Sequence, residues 1–389
     1  MTEQTRPPRD AAPPVPAAAP APRQRLYYLD NLRILLTVLV LLHHVGVTYG
    51  NIPLWFYTEP AEDPSGAALD LLVVMNQMYF MGFFFLISGF FTPGSFDRKG
   101  GRAFLRGRLV RLGIPLLAFI LLLRPMVNFG LFDPVRAAFA EQGSELPYWL
   151  FYVITWDPGP MWFAEVLLVF ALCYALLRRL RPGPAEGHGA AAGRAPGFWA
   201  IAGFTVALGV VSFAWRLLVP AGTFWPVIGL PTPSHLPQYA ALFVVGALAF
   251  RQGWFAALPR SAAWIGFASA AVGLAVFASG GMLLTTGRPP QLLADALGES
   301  IVAVGLIVGL LVLFRERFNR QGAAARFLSD HAFTVYIIHP LILVGLGYAF
   351  SWLDAAAIVK FGIVAALSIP LCWGAAYLVR SLPYAKRVL

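Results

Sequence analysis

Apolar stretches close to twenty residues long recur throughout this chain, and an uncharged stretch of that length is what a helix needs to cross a bilayer. They lie near Leu29 to Tyr49, Leu71 to Thr92, Leu109 to Phe129, Met161 to Leu180, Phe198 to Val219, Leu236 to Arg251, Ala263 to Gly281, Ile301 to Phe314, Ala332 to Phe350 and Ala357 to Val379. Hydrophobic residues make up 58% of the 389 and charged residues 12%, whereas soluble domains carry roughly a quarter charged residues. No water-soluble fold hides that much apolar surface. The expected fold class is all-α, a polytopic transmembrane helical bundle of about ten spans. Its sixth and eighth spans are short enough to be tilted or buried.

The formal net charge of +10 is not read as a nucleic-acid surface, because Lys and Arg gather in short clusters between apolar runs. Arg98, Lys99, Arg102, Arg106, Arg108 and Arg111 form the densest cluster, while the first loop on the opposite side carries Glu59, Glu62, Asp63 and Asp70 with no Lys or Arg. That alternation predicts both termini in the cytoplasm. Met1 to Gln24 is rich in Ala and Pro and predicts a disordered cytoplasmic tail, followed by a membrane-embedded domain over 25–381 and a short tail over 382–389. The first apolar run ends in His43 and His44 instead of a small-residue cleavage site, so it is expected to remain as a span. Cys173 and Cys372 fall inside apolar runs and read as small hydrophobes. No His, Cys or carboxylate pair has metal-ligand spacing, so no metal is expected.

Ionisable groups inside a span are costly and mark function, and the first span has several. Arg33 and His44 are about three turns apart, roughly 16 Å, on one helix face, with Asp30, Thr37 and Thr48 on the same side. Asp30 is read either as a partner of Arg33 or as part of a functional stripe. A neutral imidazole at His44 accepts a proton near physiological pH; His43 points about a hundred degrees away and is read as structural, with the base role at His43 in place of His44 as the alternative. At similar depth, Asn76, Gln77, Glu165 and His235 are candidate linings of an acceptor pocket. Glu165 is either a polariser of His44 or a member of a structural ion pair. His339, directly before Pro340, is read as a kink-stabilising or a catalytic residue. Trp156 and Trp162 are read as interfacial belt or as sugar-stacking residues.

The Arg33 to His44 spacing, the run Phe83-Phe84-Phe85-Leu86-Ile87-Ser88-Gly89-Phe90, Arg108-Leu109-Val110-Arg111 before Leu112 and Pro115, Met161-Trp162-Phe163, and Tyr336-Ile337-Ile338-His339 occur in this order along the chain. Together they resemble the membrane acyltransferase family called acyltransferase type 3. The wording of the first helix, with a sequence that stops at Leu389 soon after its final span, resembles the branch that includes glucan succinyltransferases. The resemblance implies transfer of an acyl group from cytoplasmic acyl-CoA, acetyl-CoA or succinyl-CoA, to a hydroxyl of a carbohydrate or glycoside. It implies phosphate binding by Arg108 and Arg111 and a bacterial inner membrane location. His44 is then a general base or the nucleophile of an acyl-His intermediate, and Arg33 orients the donor or stabilises charge along the path of the thioester. A transporter or flippase of a small anionic or glycan substrate is the alternative, since intramembrane Arg, His and Glu also build substrate pathways.

Overall fold

A computed structural model describes residues 25–52, 55–181, 193–226, 228–283 and 288–389. The tail expected over 1–24, and most of the linker expected from Arg181 to Pro196, lie outside these. Nine helices among the described residues are long and apolar enough to cross a membrane, and the chain is an all-α, multi-pass membrane bundle. In chain order the helices that matter here are α1 Tyr27–Tyr49, α2 Gly66–Lys99, α3 Gly101–Val127, α4 Phe129–Glu141, α5 Tyr148–Ile154, α6 Trp162–Leu180, α7 Phe198–Arg216, α8 Leu236–Gln252, α9 Ser261–Leu283, α10 Pro289–Arg317, α11 Ala323–Ala349 and α12 Ala357–Ser381.

Three of the expected spans are corrected. α2 has 34 residues, about 51 Å at 1.5 Å per residue, so it overshoots the apolar slab and carries Arg98 and Lys99 out with it. The eighth span, drawn short from its apolar run, is the 29-residue α10. Glu299 interrupts that run but is neutralised by Arg216 of α7. α8, the expected sixth span, has 17 residues and falls outside the nine.

Prolines shape the middle of the bundle. α3 contains two π-type turns, Leu109–Gly113 and Phe119–Leu123, flanking Pro115 and preceding Pro125. Each proline removes a helical donor and forces local widening. Pro158 and Pro160 separate α5 from α6, and the Asp157 carboxylate accepts the Gly159 amide at 2.6 Å. Arg124, fully buried in α3, holds this break by donating to the Asp157 carboxylate at 2.8 Å. α2 and α8 cross at Gly89 and Gly246, where an added Cβ would overlap the facing backbone of Phe243 or Leu86. Small residues permit such close contact between membrane helices.

Candidate functional site

α1 forms the inner wall of a cavity of about 960 Å³ that opens among the basic ends of α1, α2 and α3. One face of α1 buries Leu29, Leu32 and Leu36 in the core, while Asp30, Arg33 and Thr37 line the cavity. The Thr37 hydroxyl donates to the Arg33 carbonyl at 2.8 Å, which satisfies a polar side chain without leaving the helix. Farthest along α1 from the basic end, the lining reaches Val40, which with Phe163 of α6 and Tyr336 of α11 is taken as the cavity floor.

Its mouth is strongly positive. Arg25, Arg33, Arg98, Lys99, Arg108, Arg111 and Arg251 line it against two carboxylates, Asp30 and Asp97. Asp30 accepts from Arg25 at 2.7 Å and lies 3.7 Å from Arg33. Asp97 pairs with Arg251 at 3.1 Å and Arg178 at 3.6 Å. Arg98, Lys99, Arg108 and Arg111 have no carboxylate partner among the described residues. Arg108 donates to the Thr92 hydroxyl at 3.3 Å and lies 5.3 Å over the Phe104 ring, which orients its guanidinium.

The lining stops one helical turn short of His44. Nδ1 of His44 lies 2.9 Å from the Val40 carbonyl, so the residue at the cavity floor also holds the imidazole. A carbonyl can only accept, so Nδ1 carries the proton and Nε2 has the basic lone pair. Trp55 stacks on His44 with ring centroids 4.0 Å apart, and His339 stands 5.0 Å away on α11. His43 stacks on Phe80 of α2 at 5.0 Å and meets His44 edge-on, with ring centroids 5.4 Å apart.

Trp55 belongs to the acidic loop between α1 and α2, and sequence reasoning did not single it out. The Glu59 amide donates to the Thr48 carbonyl at 2.7 Å, and Lys360 of α12, largely buried, donates to the Glu59 carboxylate. Tyr57 donates to the same carboxylate at 3.2 Å; burial and then the Glu59 charge push its hydroxyl up to about 12, so it stays protonated. Asp63 accepts the Ala357 amide at 2.7 Å and caps α12.

The remaining expected site residues separate from His44. Gln77, Trp162 and His235 come together around Tyr239: Gln77 donates to its hydroxyl at 3.1 Å, and Trp162 and His235 stack on its ring at 5.6 and 6.1 Å. His235 continues to Glu299 at 3.5 Å, which closes the network on Arg216. Asn76 is buried and donates to the Leu39 carbonyl at 3.5 Å, bracing α2 on α1.

Glu165 corrects both expectations made for it. No hydrogen bond or ion pair reaches it among the described residues, and it shares a stripe with exposed Val169, Leu172 and Leu176 on the outer face of α6. Phe163 and Leu167 of the same helix face the cavity. Its place in the first turn of α6 supplies a physical reason, since a carboxylate there opposes the positive end of the helix.

The site can bind polyanions at its mouth and offers a neutral imidazole base past its floor. Glucans biosynthesis protein C of Escherichia coli K12 is 30% identical over 164 residues, covering 42% of this chain and 41% of that protein. The protein of the same name from E. coli O6:K15:H31 is 32% identical over 165 residues, and that from Shigella dysenteriae serotype 1 is 30% identical over 166, with the same coverage. The matched segment therefore spans about two fifths of these relatives' length. No solved structure matches the chain. The profile of the family described as "Acyltransferase domain" matches residues 26–377, from α1 into α12, and the chain belongs to that family.

Proposed function

We propose that this protein is a membrane-bound O-acyltransferase that moves an acyl group from acyl-CoA, acetyl-CoA or succinyl-CoA, to a hydroxyl of a carbohydrate or glycoside. The observation that carries the reading is the tautomer-fixed His44, one turn beyond the floor of a cavity whose mouth holds four cations without carboxylate partners. The basic end faces the cytoplasm by the positive-inside rule and meets the phosphates of the donor there. Arg108 and Arg111 bind phosphate oxygens through charge-assisted hydrogen bonds. The thioester carbon is thereby directed along Arg33 and Thr37 towards Val40.

His44 Nε2 takes the proton of the acceptor hydroxyl as the oxygen attacks. The acceptor approaches from the acidic end, past the loop that carries Trp55. Relatives named for glucan biosynthesis support a glycan acceptor, and their bacterial sources support a bacterial inner membrane with lipid around the bundle. In proteoliposomes with acetyl- or succinyl-CoA and a glucan oligosaccharide, wild-type protein releases thiol and adds one acyl mass to the glycan, whereas His44→Ala loses at least about a hundredfold in rate. Full transfer by His44→Ala would end this reading. Movement of glycan without thiol release would replace it with transport.

A further inference from the structure

Pro340 has no amide hydrogen, so the Tyr336 carbonyl four residues earlier loses its helical donor. His339 fills that gap with Nδ1 at 2.7 Å from the Tyr336 oxygen. The proton is therefore on Nδ1, and Nε2 carries a lone pair. This bond explains one nitrogen of the ring. Stabilising a kink needs nothing more, and hydroxyls bond back to backbone carbonyls without a second polar atom at Thr37 and Thr48.

The second nitrogen is unexplained by a structural role. His339 is 0% exposed, and its Nε2 has no hydrogen-bond partner among the described residues. An orphaned buried acceptor costs free energy and calls for a reason. His44 is in the same tautomer 5.0 Å away. Two neutral rings in that state present lone pairs and cannot bond each other. Once either ring gains a proton they can, since centroids 5.0 Å apart with planes tilted by 35° lie within the reach of such a bond, about 2.8 Å between nitrogens and about 1.1 Å from each nitrogen to its ring centre. The other ionisable ring beside His339 is Tyr336 on its own helix, at 6.2 Å, with its hydroxyl donated to the Pro160 carbonyl. From the loop, Trp55 lies parallel at 6.0 Å and brings no charge.

We propose that His339 is the positioning residue that accepts, on Nε2, a hydrogen bond from the proton His44 has taken up, making the two rings a proton-sharing pair. The inference rests on His44 being the base. In the step, the electron pair of the acceptor's O–H bond becomes the new C–O bond. The thioester C–S bond breaks with its pair on sulfur. The proton passes to His44 Nε2, is held between the two rings, and returns to the thiolate, leaving both imidazoles neutral.

The test measures thiol release by proteoliposomes from succinyl- and acetyl-CoA with a glucan oligosaccharide, in mixtures of light and heavy water. His339→Gln lowers kcat by at least about tenfold with both KM values unchanged. The solvent deuterium isotope effect on kcat, set in the wild type by the one proton held between the rings, changes in size. Wild-type kcat in His339→Gln, or the same isotope effect in both proteins, overturns the proposal. If His339→Gln does not fold, His339→Ala with added imidazole decides: recovered turnover supports the pair, and none overturns it. His44→Ala separates the two levels, because its retention of activity removes the base itself, whereas a fully active His339→Gln removes only the relay.

Discussion

Trp55 lies against His44 with 28° between the ring planes, and its buried indole N–H meets no acceptor among the described residues. A loop side chain therefore fixes the plane of an imidazole that is otherwise held by one hydrogen bond to Val40. An aromatic pair of this kind contributes about 0.5–1.5 kcal/mol. Trp55→Phe keeps the stack and is expected to retain turnover within about threefold, while Trp55→Ala loses about tenfold in kcat. Steady-state thiol release checks both, and equal rates for the two variants would remove Trp55 from the site.

The same loop is anchored by the contact of Lys360 with Glu59. Removing one member leaves a partly buried charge unpaired, which costs about 1–3 kcal/mol. Lys360→Met should lower Tm in detergent and reduce turnover through Trp55. The exchanged pair Glu59→Lys with Lys360→Glu should recover most of the loss. Thermal unfolding followed by tryptophan fluorescence reads the first effect, and no change in Tm would show the contact to be dispensable.

Asp63 makes the loop's attachment sensitive to acid. The Ser65 hydroxyl, then the amides of Ala357 and Ser65, hold its carboxyl below the ordinary aspartate value. A depressed folded-state value means the stabilisation is fully present above the unfolded value and is lost as pH falls through the folded one. Protection of the amides at the start of α12, relative to their intrinsic exchange rates, should therefore fall only below about pH 4. Asp63→Asn should remove that pH dependence. Protection factors from hydrogen exchange at Ala357 to Lys360 across pH 3 to 6 measure it, with pH-independent protection in the wild type as the contrary outcome.

The alignment of Arg33 with His44 was legible because helical geometry alone sets it, and α1 is unbroken between them. The motif residues Ser88, Arg108, Arg111, Phe163 and Tyr336 all line the cavity, so short polar and aromatic signatures located its wall. Facing was harder to read. In a bilayer both the core side and the lipid side of a helix are apolar, and periodicity no longer separates them. Spacing alone therefore points Glu165 inward, whereas it lies on the stripe of α6 shared with exposed Val169, Leu172 and Leu176. The length of α10 was hidden because Glu299 reads as a break until Arg216 is seen beside it. The approach of Trp55 and His339 to His44 depends on tertiary packing that no local pattern records.

Arg108 and Arg111 differ in setting, and the difference predicts different consequences. Arg108 is oriented by Thr92 and Phe104, while Arg111 is exposed at the cavity mouth. A charge-assisted hydrogen bond contributes about 1.5–3 kcal/mol when the guanidinium is held in place, and less when it must be ordered first. Arg108→Gln should raise the donor KM by about tenfold or more, and Arg111→Gln by about threefold, each with kcat preserved. The salt dependence of donor KM should weaken in both. A fall in kcat at unchanged KM would place these residues elsewhere in the reaction.

Glu165 supplies the sharpest contrast between spacing and surroundings. An unpaired carboxylate inside a span invites a catalytic role, yet its neighbours along the helix at Val169, Leu172 and Leu176 are exposed, and the cavity is lined from the opposite face of α6. A negative side chain in the first turn of a helix stabilises it by about 0.3–1 kcal/mol. Glu165→Gln should therefore cost a small amount of stability and leave kcat and both KM values within about twofold. A loss of a hundredfold in kcat with Tm unchanged would return this carboxylate to the chemistry and require α6 to turn its outer stripe inward during turnover.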